Sequence, residues 1–103
     1  MKFTLQHLRE LIARGEGEML EFKKRTTHPN RISRTLASLA NARGGQVLVG
    51  VEDNGRLVGV RDAEEERFLL LQAATQYVDP PLPLQIDEVE DDENRVVLVV
   101  TVA

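Results

Sequence analysis

Apolar residues recur at Leu5, Leu8, Leu11 and Ile12, a spacing that predicts an amphipathic helix over 4–14 with Thr4 as its N-cap and Gly15 as its stop. The period then changes to two. Leu20 and Phe22 alternate with Glu21 and Lys23, predicting a short strand over 18–24 that sends two apolar groups to one face and a carboxylate and an ammonium to the other. After a basic, polar connection that breaks at Pro29, helical spacing returns at Ile32, Leu36, Leu39 and Ala40. This predicts a second helix over 30–43, with Asn30 as N-cap and Gly44 in the left-handed conformation that closes a helix.

The aliphatic run 46–51, the turn signal Asn54-Gly55 and the run 56–60 predict a hairpin. Gly50 and Gly59 lie inside its strands, where glycine is costly unless something approaches the backbone. A helix packed over them is expected ahead of a ligand. Asp62, three residues before Glu65, opens a third helix by a capping pattern, and acids fill its first turn where the helix dipole favours them. Its later residues, from Phe68 to Val78, carry more apolar groups than one stripe holds, and the prolines of 79–83 end it. Two more strands follow, 84–90 and 95–102, joined by the acidic turn Asp91-Asp92-Glu93-Asn94. The last is apolar on both faces, as in a central strand covered on each side or one lying in an interface. The order of elements predicts an α+β fold: one two-layer domain with a mixed, mainly antiparallel sheet and about three helices.

The 103 residues have room for one domain and one core, and 42% hydrophobic with 29% charged residues is ordinary for a globular protein. No apolar run reaches the roughly 20 residues of a membrane helix. Met1-Lys2-Phe3 leads into the first amphipathic segment and not into a secretion signal, so a cytoplasmic protein with no membrane partner is expected. The absence of cysteine removes disulfides and thiolate sites, and with His7 and His28 as the two histidines a histidine-rich metal site is excluded. His7 lies off the apolar stripe and reads as a solvated surface residue.

Charge changes the picture once it is divided along the chain. Residues 1–61 carry 11 Lys and Arg against 6 Asp and Glu, whereas residues 62–103 carry 2 against 11, and together they give the net −4. Such asymmetry points to an interaction face. Lys23, Lys24, Arg25, Arg31 and Arg34 fall close together in the basic half, and Arg31 and Arg34 are neighbours on the outer face of the second helix. They are the candidate contacts for phosphates of DNA or RNA. No aromatic residues are interleaved with them, so base readout by stacking is not expected.

A Gly-Gly without a following Lys is helix termination and not a phosphate loop, and there is no nucleophile elbow. ATPase and serine-hydrolase chemistry are set aside on those grounds. What remains is carboxylates.

The pattern Ala40-Asn41-x-x-Gly44-Gly45, an apolar strand closing in Gly50-Val51-x-Asp53, and a following Val58-Gly59 resembles the Schlafen AlbA-like domain of bacterial transcriptional regulators and animal Schlafen proteins. A second block in the right order, Glu16-Gly17-Glu18-Met19-Leu20-Glu21-Phe22-Lys23, resembles the family's Glu-x-x-x-x-Glu-Phe-Lys signature. The resemblance implies an AlbA-like fold and a nucleic-acid-binding, regulatory role. It also implies an acidic site. In nuclease-active animal Schlafens the two glutamates of that block and the aspartate after Gly-Val-x form the site, and they correspond here to Glu16, Glu21 and Asp53. Cleavage there would call on Mg²⁺ or Mn²⁺, for which carboxylates are suitable hard ligands; otherwise no cofactor is expected.

The chain departs from the family in having Gly17 where Ser is usual. It also has one lobe where animal Schlafens join two, which implies a homodimer. The apolar third helix and last strand point the same way. Three readings stay open: a nucleic-acid-binding module, a metal-dependent endoribonuclease using Glu16, Glu21 and Asp53, and a protein-interaction or oligomerisation module. The three carboxylates meet if the strand holding Glu21 lies beside residues 46–53.

Overall fold

In the computed structural model, which describes residues 3–103, the elements follow as α1 (Leu5–Arg14), β1 (Leu20–Lys23), α2 (Pro29–Asn41), β2 (Gly45–Val49), α3 (Ala63–Gln76), β3 (Leu84–Glu90) and β4 (Val96–Val102). Met1 and Lys2, read above as leading into the first helix, lie outside the described residues. The sheet runs β1-β2-β4-β3, with β1 parallel to β2 and β4 antiparallel to both of its neighbours. A parallel pair needs a crossover, and α2 is that crossover. Its register sets Glu21 opposite Val47 and Lys23 opposite Val49.

The caps explain where the helices begin. Thr4 Oγ1 accepts the His7 N–H at 3.1 Å, and His7 Nδ1 in turn accepts the Thr4 N–H, so His7 is half of a capping box and not merely a solvated side chain. Asp62 accepts the Glu65 N–H at 3.1 Å and caps α3 as expected. In α2 the cap is His28 and not Asn30. Pro29 takes the first helical position, where its fixed φ and missing N–H are tolerated, and this moves the cap two residues earlier. The helix ends at Asn41, and the Gly44 N–H closes it by donating to the Leu39 carbonyl at 2.7 Å.

Alternation along the strands divides the core between two faces. Val47, Val49, Leu98 and Val100 pack with Ile32, Leu36 and Leu39 of α2 and Leu70 and Ala73 of α3. On the other face Leu20, Phe22, Leu48, Val97 and Val99 pack with Leu8 and Leu11 of α1. Helices therefore lie on both sides of the sheet, a third layer where two were expected. Truncating a fully buried leucine such as Leu36 or Leu98 removes about 2–5 kcal/mol. The apolar pattern of β4 on both faces is likewise explained within one chain: it is a central strand with a helix layer on each side.

The 46–60 region differs from the expected hairpin. Glu52 donates its N–H to the Arg56 carbonyl and Gly55 its N–H to the Glu52 carbonyl, so the turn is a three-residue loop closed by Gly55 at φ 90°. Beyond it Val51 and Leu57 form a single bridge, and the expected second strand over 56–60 does not form. The interior glycines give the reason. A Cβ at Gly59 would lie 2.9 Å from the Arg95 Cβ, and one at Gly50 would lie 3.2 Å from both the Gly59 Cα and the Val96 carbonyl oxygen. The neighbours these glycines admit are each other's backbone and the start of β4, neither a helix nor a ligand. The Val60 N–H then bonds the Val96 carbonyl at 2.8 Å, tying this segment to β4.

Candidate functional site

β1 is one of the two edges of the sheet, and the chain enters it through a tight turn in which the Gly17 N–H donates to the Leu20 carbonyl at 2.9 Å. That turn brings Glu16 back alongside the strand. Its Oε2 accepts the Phe22 N–H at 2.9 Å, occupying a ladder donor on the open side. The neighbouring Glu21 then meets Glu16 carboxyl to carboxyl. Burial, followed by the hydrogen bond to Glu16 and by Glu16's charge, pushes the Glu21 carboxyl up to about 7. Asp53 adds to the rise and Lys23 opposes it. Glu16 is held below the ordinary carboxylate range by the same hydrogen bond, against a smaller effect of burial and with help from the Phe22 N–H and Lys23. One proton thus serves two carboxylates, with Glu21 the member that retains it toward neutral pH.

Two residues further along the same face of β1 the character reverses. Lys23, Arg25 and Arg31 line one hollow of about 110 Å³ at the head of α2, with Thr26, Thr27, His28 and Ile32. None of these three cations has an ion-pair partner within 4.0 Å among the described residues. The N-terminus of α2, with its positive dipole end, opens here, and His28 gives it no side-chain cap. Thr26 anchors the loop by donating its N–H to Glu66 Oε1 at 2.7 Å, while its hydroxyl is buried without a hydrogen-bond partner.

The other two basic candidates stand apart. Lys24 approaches Glu52 at 3.8 Å, a pair worth about 0–1 kcal/mol, and lines an adjoining hollow with Arg25, Arg61, Glu65 and Glu66. Arg34 lines a third hollow beside Glu21 and Ser38. The space between β1 and α2 is therefore acidic at one end and basic at the other, with Arg34 on the acidic side.

The strand arrangement required for the three carboxylates is present, since β1 lies directly beside β2. Asp53 follows β2 in the loop, and its charge reaches Glu21. The trio does not close, however. Among the described residues no group of three His, Cys, Asp or Glu side chains could hold a metal ion. As arranged, Glu16 and Glu21 turn to each other and the three side chains offer no cradle for Mg²⁺ or Mn²⁺, so no step through a metal is derived.

Sequence reasoning missed Thr26 and Glu66. No local signal marks a threonine in a polar loop as buried, and Glu66 lies 40 residues from its partner. On α3, Phe68 and Leu71 are exposed, in keeping with an apolar helix that exceeds one stripe. No helix among the described residues is long and apolar enough to cross a membrane. The family model described as Schlafen, AlbA_2 matches residues 16–103, a span that begins at Glu16 and leaves α1 outside it. No curated protein matches the chain.

Proposed function

We propose that this chain, which belongs to the Schlafen, AlbA_2 family, is a nucleic-acid-binding domain that grips backbone phosphate at the head of α2. The observation that carries the reading is the convergence of Lys23, Arg25 and Arg31 on one hollow, none of them ion-paired. Gathering like charges around one hollow is unfavourable, and an anion from outside the chain offsets it. Lys24 and Arg34 contribute long-range attraction more than contact, and regulation of transcription is the role in which such a domain would serve. Phosphate contacts position a strand without reading its bases, so binding should be weak and tolerant of sequence.

Titration of labelled tRNA and duplex DNA at several salt concentrations tests this. Replacing Lys23, Arg25 and Arg31 together by Ala should weaken binding and flatten the salt slope by about three counterions. The pair Arg31→Ala with Arg34→Ala should remove about one, because Arg34 faces the acidic end. An unchanged slope in the triple variant would place the contact elsewhere. A parallel incubation with Mn²⁺ reads the enzymatic alternative, in which labelled tRNA is cut and Glu21→Gln abolishes the cut.

A further inference from the structure

β3 is the other edge of the sheet, and half of its backbone pairing is unused. The Asp91 N–H donates to the Arg95 carbonyl at 2.9 Å, so the register of the β3–β4 ladder is hydrogen-bonded at the 91–95 pair and at every second pair back from it. Asp87 and Val89 therefore bond β4. The N–H and C=O groups of Ile86, Glu88 and Glu90 point the other way, and among the described residues no backbone hydrogen bond reaches them. The β1 edge is treated differently, since Gly17 pairs with Leu20 there and Glu16 takes the Phe22 N–H. An edge left open over a seven-residue strand is a template for a strand from elsewhere.

The flanks of this edge suit side chains as well as backbone. On the α3 side Arg67 reaches Glu88 at 2.9 Å, and Leu71 lies one helical turn on from Arg67. Leu71 is 43% exposed and the neighbouring Phe68 is 64% exposed. On the α1 side stands Phe3, and between the two flanks a hollow of about 260 Å³ opens onto the strand, lined by Phe3, Arg67, Ile86, Asp87 and Glu88.

Charge decides the occupant. Residues 84–103 carry six acids against Arg95, and Asp87, Glu88 and Glu90 lie on the edge strand itself. A second copy pairing β3 to β3 about a two-fold axis would set those acids directly against themselves, which is unfavourable. Pairing with β1 of a second copy would need an edge that Gly17 and Glu16 already occupy. A nucleic acid would be repelled. We propose that the β3 edge binds an extended, basic segment of a partner protein, which adds as a fifth strand with Lys or Arg beside Asp87, Glu88 and Glu90 and apolar side chains beside Leu71 and Phe68. Two strands separate this surface from the phosphate hollow, so it stands independently of the nucleic-acid reading and both surfaces can be occupied at once.

The test uses a labelled peptide of alternating Lys and Val, long enough to span β3, added to the purified chain at low salt. Amide hydrogen exchange followed by NMR should slow at Ile86, Glu88 and Glu90 when the peptide is present. The peptide should bind about tenfold more tightly than its Glu-Val counterpart, and about tenfold more tightly than a version N-methylated at two successive central residues, which cannot pair in either register. Glu90→Lys, a change at an exposed position, should weaken binding several-fold without moving Tm. Equal binding of the N-methylated peptide would overturn strand addition, because attraction of charge alone would then explain the contact. Equal affinity for the Lys and Glu peptides, or for wild type and Glu90→Lys, would overturn the basic partner. Protection of the same amides that rises with protein concentration in the absence of peptide would make a second copy the occupant and overturn the proposal, as would slowed exchange at β1 in place of β3 or no binding of any peptide.

Discussion

At the β3 edge of the sheet Asp91 receives the Arg95 N–H and the Arg95 Nε, each at 2.8 Å, and the Glu93 N–H at 3.0 Å, whereas at the β1 edge Glu16 and Glu21 receive chiefly each other. Both are carboxylate clusters at turns. Burial alone would raise Asp91, but hydrogen bonds from the Arg95 backbone, its guanidinium and the Glu93 backbone outweigh it and hold the carboxyl below its ordinary value. At the other edge the Phe22 N–H and the charge of Lys23 are too few to offset two carboxylates, and Glu21 keeps its proton toward neutral pH. The difference separates structure from function. A carboxylate surrounded by donors has completed its chemistry within the chain, while a pair short of donors, beside a hollow of unpaired cations, still has interactions to make with something outside.

Removing the satisfied carboxylate should cost the most. Asp91→Ala leaves the turn N–H groups and the Arg95 guanidinium without their acceptor, so Tm at neutral pH should fall by several degrees. The pH dependence has a definite sign. Because the folded value is depressed, the stabilisation is present above the ordinary 3.8 and lost as pH falls through the lowered value, and wild type and variant should converge in acid. Equal melting at pH 7 would break the contrast between the edges. Glu21→Gln should act in the opposite sense and more weakly. Below the ordinary 4.5 both side chains are neutral and the two proteins should melt alike. Between 4.5 and about 7 the unfolded chain ionises Glu21 while the folded chain holds its proton beside Glu16 and Asp53, so the wild type loses stability across that window and the variant should become the more stable by ~1 kcal/mol, allowing for Glu21's partial exposure, with the gap constant above about 7. Thermal melts across pH 4 to 9 check this, and parallel curves for the two proteins would sink it.

The same contrast marks what could be read from the chain. The Asp91 turn, the Thr4 and Asp62 caps and the two-faced β4 were legible because each depends on residues within a few positions or on strict periodicity. Glu16, Glu21 and Asp53 were legible as candidates through motif resemblance, but their geometry was not. Whether two carboxylates share a proton depends on how the turn at Gly17 brings Glu16 back along the strand, which spacing does not encode. The second strand of the hairpin was misread because Gly50 and Gly59 let two backbones approach, a tertiary contact that overrode the β-propensity of 56–60. The five cations looked like one patch because they are close in sequence. Alternation along β1 and its loop sends Lys24 away from Lys23, and α2 carries Arg34 to the acidic end.

The smallest effect sharpens the comparison most, because it asks whether the two glutamates act as a pair. In Glu16→Gln the side-chain carbonyl can still accept the Phe22 N–H, so the edge of β1 stays anchored and stability should change by only a few tenths of a kcal/mol. What should change is Glu21. Of the causes that raise it, the hydrogen bond to an ionised Glu16 and Glu16's charge are altered, whereas burial, the largest, and the charge of Asp53 remain. Its titration, followed by carboxyl-carbon NMR, should therefore move down from about 7 without reaching 4.5. A midpoint that stays near 7 would mean that burial alone sets it and that no proton is shared. A drop all the way to 4.5 would mean that Glu16 alone sets it, and that the β1 edge is as open to water as any exposed loop.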